Sequence, residues 1–126
     1  MQIIVTATQD EKLEVVLNAL SNTYLFNGNI LSLKVPNALY DYHSDALGDD
    51  ACYEDVLIAV IKAGGVIAIY DEEGEEYVGE LSLNKIEQNW DSIRSEDMLE
   101  VINEDDDSDT ADNILQCLTL GSIIYG

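Results

Sequence analysis

The spacing of apolar and polar residues changes several times along the chain, and each change marks a predicted element. Ile3-Ile4-Val5-Thr6-Ala7 is a β-branched run that predicts a first strand. Asp10 and Glu11 then open a segment in which Leu13, Val16, Leu17 and Leu20 recur at i, i+3, i+4 and i+7, so an amphipathic helix is expected over residues 10–21. Tyr24-Leu25-Phe26 and Ile30-Leu31-Ser32-Leu33 flank Asn27-Gly28-Asn29, a turn signal that predicts a hairpin. Val35-Pro36 ends its second strand, and residues 36–50, with Tyr40, Tyr42 and His43, read as an irregular connection.

From Asp50 the pattern turns strongly apolar. Tyr53, Val56, Leu57, Val60 and Ile61 keep helical spacing while Cys52, Ile58 and Ala59 occupy other faces, which predicts a largely buried helix stopped by Gly64-Gly65. Val66–Tyr70 and Tyr77–Leu81 are the expected arms of a hairpin across 71–76. Ser82 is placed to cap a helix with Leu83, Ile86, Trp90 and Ile93 on one side, and Ser95 to cap a short one with Met98, Leu99 and Ile102. The last helix carries Ala111, Ile114, Leu115 and Leu118 and stops at Gly121. The apolar Ile123-Ile124-Tyr125-Gly126 is expected to tuck in as a terminal strand. The pattern predicts one α+β domain over residues 1–126, with a mainly antiparallel sheet and three or four helices. No repeat or linker divides it.

Charge adds what periodicity does not show. The 126 residues are 47% hydrophobic, enough for a core, yet 26 carboxylates face five bases, for a net charge of −21. Residues 1–40 carry three acids against two bases, a net −1; residues 41–126 carry 23 against three, a net −20. Such a surface excludes direct nucleic-acid binding, which needs Lys and Arg to displace counterions, and it excludes anionic membranes. Met1 leads into Gln2-Ile3-Ile4-Val5 without a basic start, so no signal peptide is expected, and no apolar run has the length of a membrane span. Cys52 and Cys117, both in apolar helical patterns, read as buried free thiols of a reducing cytoplasm, with a disulfide between them the alternative that spacing leaves open.

Catalytic chemistry is thinly provisioned. His43 is the one imidazole, and its spacing to Cys52 matches no nucleophile motif. Three Cys and His residues in all are too few for a zinc site. Reading Asp105, Asp107 and Asp109 as a calcium loop puts Thr110 where the turn glycine belongs and Gln116 where the bidentate glutamate belongs. Asp10-Glu11-Lys12 resembles the carboxylate-x-lysine end of some nucleases, but it opens a helix instead of ending a strand. No catalytic residue, metal ligand or cofactor is expected.

The acids need another account. Asp49, Asp50, Glu54 and Asp55 lie at one predicted helix start and Asp107, Asp109 and Asp112 at another, where negative charge interacts favourably with the helix dipole. That does not explain Asp71, Glu72, Glu73, Glu75 and Glu76, crowded on one turn, or Glu104, Asp105 and Asp106. One reading is a solvated face that confers solubility. The sharper one is mimicry of nucleic acid: an excess of 21 charges matches about 36 Å of duplex, on the order of ten base pairs. The expected contact acids are Asp71, Glu72, Glu73, Glu75 and Glu76 together with Glu104, Asp105, Asp106, Asp107 and Asp109.

Residues 53–126 resemble a group of small acidic hypothetical bacteriophage proteins. The matching pieces are Asp55-Val56-Leu57 leading to Ala63-Gly64-Gly65, Tyr70-Asp71 with its acidic turn, and Leu81-Ser82-Leu83-Asn84-Lys85-Ile86. They continue with Ala111-Asp112-Asn113-Ile114-Leu115-Gln116 and end on Leu120-Gly121-Ser122-Ile123-Ile124-Tyr125-Gly126, where the group has Phe-Gly in place of Leu120-Gly121. Residues 1–50 carry no such resemblance. The group has no assigned activity, so the resemblance implies only a phage-related protein acting in the bacterial cytoplasm; small acidic phage proteins include inhibitors of host defence nucleases and other DNA-binding proteins. The expected function is a non-catalytic inhibitor whose partner is a basic host protein that binds DNA or RNA. The alternatives are a phage structural or accessory protein, self-association into a homodimer included, and a carboxylate-dependent hydrolase.

Overall fold

The computed structural model describes residues 7–28, 30–73, 75–105 and 107–125. Within them the chain is an α+β domain of six α-helices and a three-stranded antiparallel sheet of order β1-β2-β3. The elements are α1 (Gln9–Asn22), β1 (Leu31–Lys34), α2 (Asn37–Leu47), α3 (Tyr53–Lys62), β2 (Ile67–Asp71), β3 (Glu76–Leu81), α4 (Leu83–Asn89), α5 (Ser95–Ile102) and α6 (Ser108–Leu120), with a 3₁₀ turn at Trp90–Ser92. Residues 3–6 of the expected first strand lie outside the described residues, and Ala7 is not in a strand.

Local chemistry explains most boundaries. Thr8 and Glu11 form a capping box at the start of α1, each side chain accepting from the other's backbone N–H, at 3.2 and 3.0 Å. Ser82 caps α4 by accepting from Lys85 N, and Asp107 caps α6 by accepting from Thr110 N. Ser95 does not cap α5: it is the first helical residue, after an extended Arg94. Gly64 after α3 and Gly121 after α6 have φ of +92° and +85°, a conformation that costs a side-chain-bearing residue energy.

Register places Leu31, Leu33, Ile67, Ile69, Asp71, Gly79 and Leu81 on one face of the sheet, and α6 covers it. The approach is closest at Gly79, where a Cβ would lie 2.7 Å from Thr119 O and 2.8 Å from Leu120 Cδ2. Around α6 the core gathers Val16 and Leu20 from α1, Leu57 and Ile61 from α3, and Ile86, Trp90 and Met98. The opposite face carries Ser32, Lys34, Ala68, Tyr70 and Glu80, with Lys34 Nζ 5.0 Å from the Tyr70 ring centre and Tyr77 edge-on to Tyr70.

Besides the Ser95 cap, and six α-helices among the described residues where three or four were expected, four further sequence expectations are corrected. Residues 24–26 do not pair with 30–33 as a hairpin. The turn at Asn27-Gly28 exists, with Gly28 at φ +95°, but β1 pairs with β2, and the Tyr24 and Leu25 N–H groups are bound to Asp112 instead of a strand. Residues 36–50 are largely helix: Pro36 sits at the N-cap, and Gly48, at φ +93°, donates to Ser44 O. That helix, α2, has no fully buried residue and leans on α3 through Tyr40 and Tyr53, whose ring centres are 6.0 Å apart. The described part of the terminal segment, Ile123–Tyr125, is not a strand, because its backbone pairs with the Gln116 side chain. Finally, Cys117 is a buried free thiol, but Cys52 is an exposed one at the N-cap of α3.

Candidate functional site

The expected contact acids separate into structural and available groups. Asp71, the last residue of β2, is structural: Oδ1 accepts from Glu73 N at 2.9 Å, closing the turn, and Oδ2 accepts from the Tyr125 hydroxyl at 2.8 Å. That hydrogen bond to Asp71 pushes the Tyr125 phenol above its ordinary pKa. Asp107 is also structural, because Thr110 N donates to its carboxylate and holds its pKa below the usual aspartate range. By contrast Glu73, Glu75, Glu76, Glu104, Asp105 and Asp109 are exposed, and Glu72 is half-buried. Asp106 lies outside the described residues.

Among the described residues no ion pair reaches Glu73, Glu75, Glu76, Glu104, Asp105 or Asp109. Among the described residues the ion pairs are Lys12–Glu87 at 2.9 Å, Lys62–Asp10 at 3.9 Å, and Arg94 with Glu96 and Asp97 at 3.4 and 2.9 Å. Each lies in or beside the helical layer, and none involves the 71–76 turn or the 104–109 run. Two acids of the acidic segments have left-handed backbone, Glu75 at φ +52° and Glu104 at φ +58°. Glycine or asparagine fits that conformation with less strain.

Tyr125 brings the two acidic segments together. Its hydroxyl holds Asp71, and its ring lines a groove of about 510 Å³ with Tyr24, Leu25, Ile30, Asp109, Asp112 and Asn113. The start of the hairpin turn at Asp71, the terminal segment and the first turns of α6 therefore adjoin one another, and Glu104 and Asp105 precede α6 in the chain. Two side chains that sequence reading did not assign to this job build the edge. Gln116, fully buried, accepts from Ile124 N and Tyr125 N at 2.9 and 2.7 Å and donates to Tyr125 O at 2.9 Å. Asp112, 6% exposed, accepts through Oδ1 from Thr23 Oγ1, from Tyr24 N at 2.9 Å and from Leu25 N at 3.1 Å. The visible signal was a polar residue inside the apolar stripe of a helix, at 112 and again at 116.

The other chemistry-bearing residues are tied into the fold. Buried Asp97 accepts from Arg94 Nε at 2.9 Å and from Asn113 Nδ2 at 3.3 Å, joining α5 to α6. Glu100 accepts from Thr110 Oγ1 across the same junction. His43, in α2, meets the Tyr42 ring edge-on at 5.1 Å. The Glu54 carboxylate, with Asp55 beside it, pushes the Cys52 thiol up, which keeps it protonated at neutral pH. Among the described residues no cluster of three His, Cys, Asp or Glu could hold a metal ion, and no helix is long and apolar enough to cross a membrane.

Comparison with protein-family models, with curated proteins and with solved structures gives no match.

Proposed function

We propose that this protein is a non-catalytic acidic binding protein that offers its 71–76 and 104–109 edge, in place of nucleic acid, to the basic nucleic-acid-binding surface of another protein. The resemblance to small acidic phage proteins makes an inhibitor of a host defence nuclease the concrete form of this reading, acting in the bacterial cytoplasm. One observation carries it: Glu73, Glu75, Glu76, Glu104, Asp105 and Asp109 are exposed and have no cationic partner among the described residues. A fold stabilised by its acids would pair them; these are left with their full charge directed at solvent. The opposing charge of a Lys- and Arg-lined groove would relieve their mutual repulsion and accelerate encounter.

The test is capture of bacterial lysate proteins on the immobilised chain, eluted with duplex DNA or with salt. DNA-binding proteins released by duplex, and absent when Glu72, Glu73, Glu75 and Glu76 are changed to Gln, support the reading. Recovery of none sinks it. An accessory interaction protein is the second reading, favoured by α2, which leaves two large hydrophobic residues exposed, Tyr42 at 69% and Leu47 at 48%. It predicts that the Gln variant keeps its partner and that Tyr42→Ser loses it.

A further inference from the structure

We infer that the groove between Tyr24 and Tyr125 is the seat of a single arginine side chain of the protein partner. This rests on the reading of the acidic edge as a protein-binding surface, and it names the group that anchors there. The deciding atom is Asp112 Oδ2. Asp112 is more than nine-tenths buried and lines the groove, and its Oδ1 takes all three of its hydrogen bonds, while Oδ2 takes none among the described residues. Oδ2 is therefore the edge of the carboxylate that opens on the groove, where it can accept a charge-assisted hydrogen bond from an incoming cation. Asp109 lies one helical turn before it on α6, which puts the two carboxylates about 5–6 Å apart at their Cβ atoms, within the span of one forked cation.

The walls select the cation. Leu25 and Ile30 are apolar and Tyr24 and Tyr125 aromatic, a lining that suits an organic cation and supplies too few oxygens for a bare divalent metal. Neither tyrosine ring stacks on another ring or meets a cation among the described residues, whereas Tyr70 is already met by Lys34 and Tyr77. A guanidinium is planar, stacks on tyrosine faces and donates in a fork, so it uses rings and carboxylates together; an ammonium uses them less well. Both walls are also held in place before binding. Asp112 fixes the backbone of Tyr24 and Leu25, and Gln116 fixes that of Tyr125, so little ordering is left for the bound state.

The test is an NMR titration of the full-length labelled chain with the blocked peptide acetyl-Gly-Arg-Gly-amide, and with its citrulline and lysine counterparts. The expected result is saturable shifts at Tyr24, Leu25, Asn113 and Tyr125 with arginine, weaker ones with lysine and none with citrulline. Tyr24→Leu, at a site 59% exposed, should weaken arginine binding roughly fivefold. Asp109→Asn should weaken it by about threefold. Asp112→Asn keeps an oxygen for the Tyr24 and Leu25 N–H groups but turns a donor into the groove, and should abolish binding. Equal shifts with citrulline, or arginine shifts spread over Glu73, Glu75 and Glu104 and unchanged by these substitutions, would overturn the arginine seat. A parallel titration with polylysine separates the two ideas. Salt-sensitive polylysine binding along the acidic edge, with no groove response to the arginine peptide, removes the seat and leaves the charge-presenting edge standing. The reverse outcome keeps the seat and removes the edge.

Discussion

Replacing Asp112 with alanine removes the acceptor for three donors at once, and the structure says how much each loss should matter. Leu25 is buried, so its N–H would be left without a partner and out of reach of bulk water, at a cost of about 2 kcal/mol. Tyr24 is largely exposed, so its N–H and the Thr23 hydroxyl can turn to water, and together they add about 1 kcal/mol. The total of about 3 kcal/mol corresponds to a fall in Tm of roughly 11 °C, from an unfolding entropy of about 2.1 cal/mol/K per residue over 126 residues. Asp112→Asn preserves an acceptor oxygen and should cost about 1 kcal/mol. Asp109→Ala, one turn earlier and exposed, should stay within about 0.5 kcal/mol of the parent. Urea unfolding followed by circular dichroism measures all three. An Asp112→Ala cost below about 1 kcal/mol, or an equal cost for Asp109→Ala, would show that the acids do not divide into structural and available sets.

Other consequences are checked in the same way. Gly79→Ala should destabilise by about 2 kcal/mol in urea unfolding, because its Cβ would press on the Thr119 carbonyl, part of a helix backbone that cannot step aside. Glu104→Gly should raise stability by about 0.5–1 kcal/mol, relieving the left-handed strain at φ +58° less the extra freedom glycine gives the unfolded chain. Hydrogen bonds from the backbone, from Thr8 and Thr110 respectively, depress the pKa values of Glu11 and Asp107. A depressed carboxylate stabilises the fold above its ordinary pKa and ceases to as pH falls through the folded value. The stability gap between the parent and a Glu11→Gln, Asp107→Asn double variant should therefore be constant from about pH 7 to 5 and close below about pH 4. A gap that is flat across the whole acid limb would contradict it.

How legible the chain was depended on whether a residue's job is local. The capping box of Thr8 and Glu11, the Ser82 cap and the Gly64 and Gly121 stops act within four residues, and the helices and the β2–β3 hairpin follow from them and from periodicity. α2 was hidden because a helix that leans on one neighbour, with no fully buried residue, carries too weak an apolar stripe to distinguish it from a loop. The hairpin expected at 24–33 failed for a non-local reason: the donors of Tyr24 and Leu25 go to a carboxylate 87 or 88 positions away. The terminal strand failed likewise, because Gln116 supplies from a side chain the hydrogen bonds that a neighbouring strand would have supplied. The acidic segments were visible as composition. Their division was not, since Asp71 and Asp107 look in sequence just like Glu73 and Asp105, and only their donors set them apart.

The central claim is that the available carboxylates stand in for phosphate. It is tested most directly by measuring the affinity of the protein for a captured DNA-binding partner across a salt series, with duplex DNA as competitor, for the parent and for the variant with Gln at Glu72, Glu73, Glu75 and Glu76. The account predicts affinity that falls steeply with salt, full displacement by duplex, and roughly tenfold or greater weakening in the variant. Binding that is indifferent to duplex, or a variant that binds as the parent does, would contradict it.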